Sequence, residues 1–214
     1  MNSPLASENG LVVKHLEYQV AGHQLFCNYS FTLQRGKLLQ ILGPNGVGKS
    51  TLLKILAGLI KVEQAWLSWD GLKINSESED FVAKLFYLSD LIALKAELSV
   101  LENLCLDFHL CKKNLDEIKS GLRRFELLSY ADCLVGTLSR GQKQRVALTK
   151  MLLSSADLFL LDEPLTGLDE SAIEITRRIF VDKLLQGKAV ILTGHYPLSL
   201  SGIDIQIHNL GEGG

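Results

Sequence analysis

The sequence predicts an α/β domain with a mostly parallel sheet, a small antiparallel β subdomain near its start and a helical subdomain inserted in its middle. Short apolar runs typical of buried strands alternate with segments of helical periodicity. The strands of this alternation are 38–43, 157–162, 189–194 and 203–208, and its helices are 49–59, 141–153 and 170–185. Ahead of them, residues 11–20 and 23–33 form two adjoining strand patterns, which predict the antiparallel part.

The chain is expected to fold as one domain, because 214 residues with 47 % hydrophobic content can bury a single core. The expected division is a core of residues 1–85 and 136–214 and a helical subdomain of residues 86–135. In the insert, Ser99 and Asn114 each precede a glutamate by three residues. This spacing is the capping-box pattern that begins a helix.

Composition and charge exclude several functional classes. A formal charge of −2 and a pI near 6.2 provide no basic field, so no nucleic-acid partner is expected. The polar first ten residues do not fit a secretory signal, and no apolar run approaches the roughly 18 residues that a spanning helix needs. We therefore expect a cytosolic protein whose membrane association, if any, comes through a partner.

A glycine-rich loop between a buried strand and a helix predicts a phosphate-binding site. Residues 43–50 fit the pattern G-x-x-x-x-G-K-[ST] of P-loop NTPases in full. Its glycines let successive backbone N–H groups turn inward, and the following helix N-terminus attracts anions. Lys49 is expected to contact the outer phosphates, Ser50 to hold Mg²⁺ and Thr51 to support it. The predicted nucleotide-binding residues here are Gly43, Pro44, Asn45, Gly46, Val47, Gly48, Lys49, Ser50 and Thr51.

Two adjacent carboxylates end the apolar strand at 157–162. Asp162 is expected to reach the Mg²⁺ shell, because such a strand can run beside the strand that carries the phosphate loop. Glu163 is expected to polarise the attacking water as a general base. An exposed acidic pair at a strand end is the alternative, and the complete phosphate loop argues against it.

Three further segments resemble the ABC ATPase family. LSRGQ at 138–142 resembles its LSGGQ signature, TGLD at 166–169 its loop after the acidic strand, and His195 its switch histidine. Arg140 stands where the family consensus has a glycine. The resemblance follows the family order over nearly the whole chain. It implies an ATPase that uses ATP and Mg²⁺, with the P-loop NTPase core of the ABC type.

The resemblance also implies a head-to-tail homodimer that traps two ATP molecules. Ser139, Gly141 and Gln142 would then contact the nucleotide held by the other subunit. His195 would contact the γ-phosphate and help Glu163 hold the water. Tyr18 lies where the family has an aromatic that stacks on adenine, and a packed strand aromatic is its alternative.

The chain departs from the family at the entry to the helical subdomain. The family usually has a glutamine there that contacts Mg²⁺ and the lytic water, whereas the matching position here is Leu91. Asp90 or Ser89 partly substitutes for it, or coupling to the membrane partner is weaker. Asp90 is therefore a third candidate Mg²⁺ ligand.

The subfamily resemblance is to ATPases that serve haem export in bacterial cytochrome c maturation. It depends on Leu-Glu-Asn-Leu at 101–104 and His-Tyr-Pro-Leu at 195–198. It implies integral-membrane partners of the CcmB and CcmC kind and a peripheral place on the cytoplasmic side of the inner membrane. The alternatives are the ATPase of another small ABC exporter and a soluble ABC ATPase that does not serve transport.

Overall fold

The structure is a computed structural model that describes residues 9–63, 65–75, 77–89, 93–106 and 113–211. The strands are β1 (Leu11–Val20), β2 (His23–Leu33), β3 (Leu38–Leu42), β4 (Trp66–Trp69), β5 (Leu72–Lys73), β6 (Leu85–Leu88), β7 (Leu158–Leu161), β8 (Ala189–Gly194) and β9 (Ile205–Asn209). The helices are α1 (Lys49–Leu56), α2 (Glu79–Val82), α3 (Val100–Cys105), α4 (Leu115–Arg124), α5 (Arg140–Leu153) and α6 (Glu170–Leu185). Two short 3₁₀ turns, Leu128–Tyr130 and Val135–Thr137, lead into α5.

Five strands form a sheet in the order β6-β7-β8-β3-β9, and every adjacent pair is parallel. The strands β3 and β7 are buried along their whole length, as their continuous apolar sequences predict. The predicted parallel sheet is therefore confirmed. Because all five strands run the same way, the segments that follow them meet at one edge of the sheet.

The second sheet is antiparallel, in the order β2-β1-β4-β5, and confirms the predicted β subdomain. The strands β4 and β5 are joined at Asp70 and Gly71, whose φ angles are +46° and +77°. A two-residue hairpin with a type I′ turn requires this left-handed conformation at both positions, which Asp-Gly adopts readily.

The parallel sheet separates two hydrophobic cores. Leu39 and Ile41 of β3 point to the core that contains α1 and the antiparallel sheet. Leu38 of the same strand, with Phe159 of β7, points to the opposite core, which contains the buried faces of α3 to α6. Successive strand residues alternate between faces, so one apolar strand supplies both cores.

The two predicted capping boxes are present. Ser99 accepts a hydrogen bond from Glu102 N at the start of α3, and Asn114 accepts one from Glu117 N at the start of α4. Each glutamate carboxylate accepts the reciprocal bond from its capping residue's own N–H. These bonds satisfy backbone donors that have no partner inside the helix.

The structure differs from the sequence analysis at the start of the insert. Residues 86–88, which the expected division assigns to the helical subdomain, lie in β6 at the edge of the parallel sheet. The physical reason is their register with β7, which pairs Phe86 with Phe159 and buries both rings. A short apolar run has too few residues to show whether it is a strand or a helix.

Helix α1 ends at Leu56, three residues before the predicted end, because Gly58 takes a φ of +75°. A glycine in the left-handed conformation terminates a helix by satisfying its last carbonyls. Over the part of the chain that the structure describes, none of the helices combines the length and the apolar character that a bilayer span requires.

Candidate functional site

The phosphate loop follows β3 and curls against the carboxyl end of the sheet. Gly43 has a φ of +149°, and a Cβ at this position would lie 2.5 Å from Leu210 O. Gly48 has a φ of +106° and directly precedes α1. Both positions therefore need glycine, the first for close backbone approach and the second for its backbone conformation. Val47 packs its side chain into the core below the loop.

Lys49 is 6 % exposed, and its ammonium group faces the loop itself. Its Nζ donates to Gly43 O at 2.8 Å and to Pro44 O at 3.1 Å. No side chain caps the N-terminus of α1, and Ser50 and Thr51 lie half-buried in its first turn. The arrangement combines a buried cation with an uncapped helix N-terminus, which is what a bound phosphate needs.

Asp162 follows β7 and is 3 % exposed. Its Oδ1 accepts a hydrogen bond from Thr193 Oγ1 at 2.7 Å. Its Oδ2 is buried and has no hydrogen-bond partner among the described residues. A buried carboxylate oxygen without a partner is costly, and a divalent cation would remove that cost. The donor set at this position therefore fits Mg²⁺.

Glu163 lies in an unusual backbone conformation, with a φ of +46°. Its N–H donates to Thr193 Oγ1 at 2.8 Å, and its Oε1 lies 3.0 Å from His195 Nε2. Strained non-glycine residues concentrate at functional sites, where the surrounding contacts enforce them. Here the enforced conformation turns the Glu163 carboxylate toward His195. The Asp162 carboxylate beside it points toward Thr193 of β8.

Thr193 is the functional residue that the sequence analysis missed. It lies on β8, is 1 % exposed, and its single hydroxyl bonds both Asp162 and Glu163. One sequence feature could have identified it: a hydroxyl residue near the end of the apolar strand β8, which pairs with the strand that precedes the two acidic residues. Thr193 thus links the Asp162 carboxylate to the backbone of Glu163.

The signature segment begins α5. Ser139 accepts a hydrogen bond from Gln142 N at 3.2 Å, and Gln142 Oε1 accepts one from Ser139 N at 2.9 Å. These two bonds form a capping box at the start of α5. A Cβ on Gly141 would lie 3.1 Å from Gly167 O, so Gly141 is also needed for packing against the loop after β7.

Two side chains of α5 join the signature segment to that same loop. Gln144 is buried and donates from Nε2 to Pro164 O at 2.8 Å. Arg145 pairs with Asp169, whose side chain also accepts from Ala172 N to cap α6. This backbone hydrogen bond lowers the pKa of the Asp169 carboxyl, with Arg145 as a further cause. The signature helix and the acidic loop are therefore one connected unit.

Tyr18 lies on β1 opposite Phe26 of β2 and packs partly into the core beside the antiparallel sheet. The Phe26 ring lies 3.4 Å from where a Cβ of Gly48 would stand. Directly opposed residues of antiparallel strands point to the same face. Tyr18 is therefore on the face that borders the phosphate loop, and its stacking role stays a prediction.

Asp90 and Leu91 lie outside the described residues. Ser89 is described and half-buried, directly after β6 at the sheet edge where Asp162 follows β7. The backbone N–H of Asp162 donates to Leu88 O at 2.8 Å, so this segment borders the acidic pair.

Comparisons with known proteins identify the family of the chain. Residues 26–166 match the ABC transporter family. A cytochrome c biogenesis ATP-binding export protein CcmA from Idiomarina loihiensis is 38 % identical over 94 % of this chain and 90 % of its own length. The corresponding protein from Aliivibrio fischeri is 37 % identical over 88 % of this chain and 93 % of its own length.

A solved ABC transporter ATP-binding protein from Pyrococcus furiosus has the same fold. Its TM-score is 0.80 at 27 % identity, over 94 % of this chain and 98 % of that one. The predicted fold class, with its P-loop core and antiparallel subdomain, is confirmed. The chain therefore belongs to the ABC transporter family and is an ATP-binding ATPase similar to the CcmA proteins of cytochrome c biogenesis.

Proposed function

We propose that this ATPase works as an ATP-dependent homodimer on the cytoplasmic side of the bacterial inner membrane, where it drives export through integral-membrane subunits. The observation that carries the proposal is the hydrogen-bonded group of Asp162, Thr193, Glu163 and His195 beside the phosphate loop. It holds two carboxylates in different environments, with Asp162 buried and Glu163 partly exposed, as metal binding and base catalysis require.

The phosphate loop binds the triphosphate. Lys49 donates to two loop carbonyls, and its Nζ would transfer to the outer phosphate oxygens when ATP binds. The N–H groups of the loop and of the first turn of α1 surround the same anion. Tyr18 would hold the adenine by stacking on its ring.

Asp162 and Ser50 are the residues that would hold Mg²⁺. The ion would supply charge neutralisation between the outer phosphates. The unpartnered Asp162 Oδ2 supports this assignment, because the carboxylate is already oriented by Thr193 without using that oxygen.

Glu163 would accept a proton from the attacking water through its carboxylate. His195 bonds Oε1 of that carboxylate, and Thr166 Oγ1 donates to Oε2 at 3.4 Å. These two contacts hold the Glu163 carboxylate in one orientation. Such positioning contributes about 10²–10⁴-fold in rate.

The second subunit would supply the other wall of the nucleotide site. Ser139, Gly141 and Gln142 begin an exposed helix N-terminus, and its first turn contains no acidic residue. A phosphate presented by a second subunit would meet free donors there. Two such contacts related by twofold symmetry close the dimer.

The proposal is tested by phosphate release from Mg-ATP by the full chain, alone and with membrane subunits. Thr193→Val keeps the side-chain shape but removes the shared hydroxyl, so we expect turnover to fall at least about tenfold. Thr193→Ser, which keeps the hydroxyl, should restore most of it. A wild-type chain that releases no phosphate in any of these conditions would contradict the proposal.

The names of the relatives describe export in cytochrome c biogenesis and support a proposal for the transported class. We propose haem export or a related step, with partners of the CcmB and CcmC kind. Purification of the tagged chain from detergent-solubilised membranes should retain such subunits and lose them after a high-salt wash. Recovery with ribosomes instead would support the soluble alternative.

Asp90 is the residue we propose in place of the family's coupling glutamine, with Ser89 as its competitor. Asp90→Ala should weaken the Mg²⁺ dependence of turnover, and Ser89→Ala serves as the matched variant. If Asp90→Ala leaves both the rate and the Mg²⁺ dependence unchanged, the assignment of Asp90 is rejected.

A further inference from the structure

Gln40 is a buried amide at the centre of β3, a strand whose other residues are all apolar. It is 2 % exposed, so its side chain needs hydrogen-bond partners inside the protein. Both partners lie on one short segment. Nε2 donates to Tyr196 O at 2.8 Å, and Oε1 accepts from Leu198 N at 2.7 Å.

This segment directly follows His195 and has no regular secondary structure. Within the described ranges, the hydrogen bonds to the backbone of residues 196–199 come from Gln40. The Tyr196 side chain is 84 % exposed and contributes little packing. Leu198 anchors the segment in the core by packing, and the Gln40 amide fixes its backbone by hydrogen bonding.

Gly194 has no side chain and therefore leaves room for the Gln40 side chain. The strands β3 and β8 are parallel neighbours, with Leu42 opposite Gly194. A Cβ at Gly194 would lie 3.1 Å from Gln40 Nε2, closer than ordinary side-chain packing allows. The amide thus passes over the end of β8 to reach the segment beyond His195.

We infer that Gln40 is a positioning residue for hydrolysis: it holds His195 against Glu163 and links the histidine segment to the strand that carries the phosphate loop. This inference depends on the proposed roles of His195 and Glu163. Gln40 makes no contact with the reacting atoms in this arrangement and acts through the backbone of residues 196–198.

The test uses Gln40→Met, which keeps side-chain length but removes both hydrogen bonds. We expect kcat for Mg-ATP to fall about tenfold, because a small displacement of a catalytic group has effects of this size or larger. The KM and the nucleotide affinity should stay within about twofold, since the phosphate loop itself is untouched. Thr176→Val removes another buried hydrogen bond, one made within α6 to Ala172 O, and should leave kcat unchanged.

A double-mutant cycle with His195→Ala separates positioning from general structural damage. If Gln40 acts through His195, Gln40→Met should cause no further loss in the His195→Ala background. An equal fractional loss in both backgrounds, or an unchanged kcat in the single variant, would overturn the inference while leaving the proposed function standing. If the wild-type chain hydrolyses no ATP, both the inference and the proposed function are overturned. That measurement is made before any variant is tested.

Should Gln40→Met fail to fold, Gly194→Ala decides the question. It leaves Gln40 in place but presses a methyl group against its amide, so kcat should fall in the same direction by a smaller factor. The loss should again disappear in the His195→Ala background, and a loss that persists there would contradict the inference.

Discussion

The phosphate loop and the signature helix are both suited to anions, yet the structure prepares them differently. At the loop, Lys49 and Asp162 are almost fully buried, and Gly43 and Gly48 lie close to neighbouring residues. At the signature helix, Ser139 and Arg140 are exposed, and the cap is satisfied by Gln142 within the same turn. One site is a formed cradle, and the other is an open surface.

The difference indicates which site can act alone. The cradle offers a buried cation, an unpartnered carboxylate oxygen and an uncapped helix, so it can bind nucleotide within one chain. The open surface borders a cavity that Ser139, Gly141 and Gly167 line, and Gln144 and Arg145 hold it rigidly. Rigid but open surfaces are suited to contacts made by a second subunit.

The largest effect should come from Glu163→Gln, because it removes the base and keeps the shape. We expect turnover to fall by about 10²–10⁴-fold with ATP affinity retained. Phosphate release and equilibrium nucleotide binding measure the two quantities. Glu170→Gln, on a carboxylate that is 90 % exposed, is the matched control and should behave as wild type. Comparable turnover in both variants would remove Glu163 from the mechanism.

Lys49→Ala should weaken ATP binding itself by about 100-fold, because a charge-assisted contact to phosphate is lost. Titration with a fluorescent nucleotide measures this in the isolated chain. Lys54→Ala, on the exposed side of the same helix, should change affinity less than twofold. Unchanged binding by Lys49→Ala would mean that the cradle does not hold the triphosphate.

Ser139→Ala and Ser99→Ala separate capping from catalysis. Both residues cap a helix through the same box, with an equal 3.2 Å bond. Each variant should lose about 1 kcal/mol of unfolding free energy. Only Ser139→Ala should also lose turnover, by about tenfold or more, with monomer affinity for ATP unchanged. Equal turnover in the two variants would mean that Ser139 caps its helix and has no role in catalysis.

The smallest expected effect on activity comes from Lys183 of α6, which contacts the C-terminal end of the signature helix α5 and changes only the pH dependence of stability. Lys183 is buried there and donates to Leu152 O and Ser154 O, and burial lowers its pKa to about 8. Between pH 8 and its ordinary pKa of 10.5, the unfolded chain holds a proton that the folded chain has lost. Folding stability should therefore rise with pH in this window.

Urea unfolding at pH 7.5 and 9.5 measures this contribution. Relative to Lys183→Met, which has no titrating group, the wild type should gain about 1–2 kcal/mol at the higher pH. Parallel behaviour of the two proteins would show that Lys183 keeps an ordinary pKa.

Most of the fold could be predicted because its central strands are continuous apolar runs and its helices carry capping boxes and glycine stops. The strand β6 could not, since four apolar residues fit a strand or a helix equally well until β7 pairs with them. The end of α1 was also missed, although Gly58 was a usable stop signal.

The chemistry of the site was more predictable than its support. Contiguous motifs identified the loop, Asp162 and Glu163, but Thr193 and Gln40 are single polar residues within apolar strands. In the sequence, such a residue only interrupts a run of core residues and does not indicate a role at the site. Only the pairing of β3, β7 and β8 shows that both side chains bond to segments at the site.

The central claim is that the cradle of one chain and the open signature surface of another hold the same nucleotide. Light scattering of Glu163→Gln at saturating Mg-ATP tests it most directly, since this variant should bind but not hydrolyse. The account predicts a mass twice the 23.7 kDa of the chain, which returns to 23.7 kDa when Ser139→Ala is added or ATP is removed. A mass that stays at 23.7 kDa with nucleotide bound would contradict it.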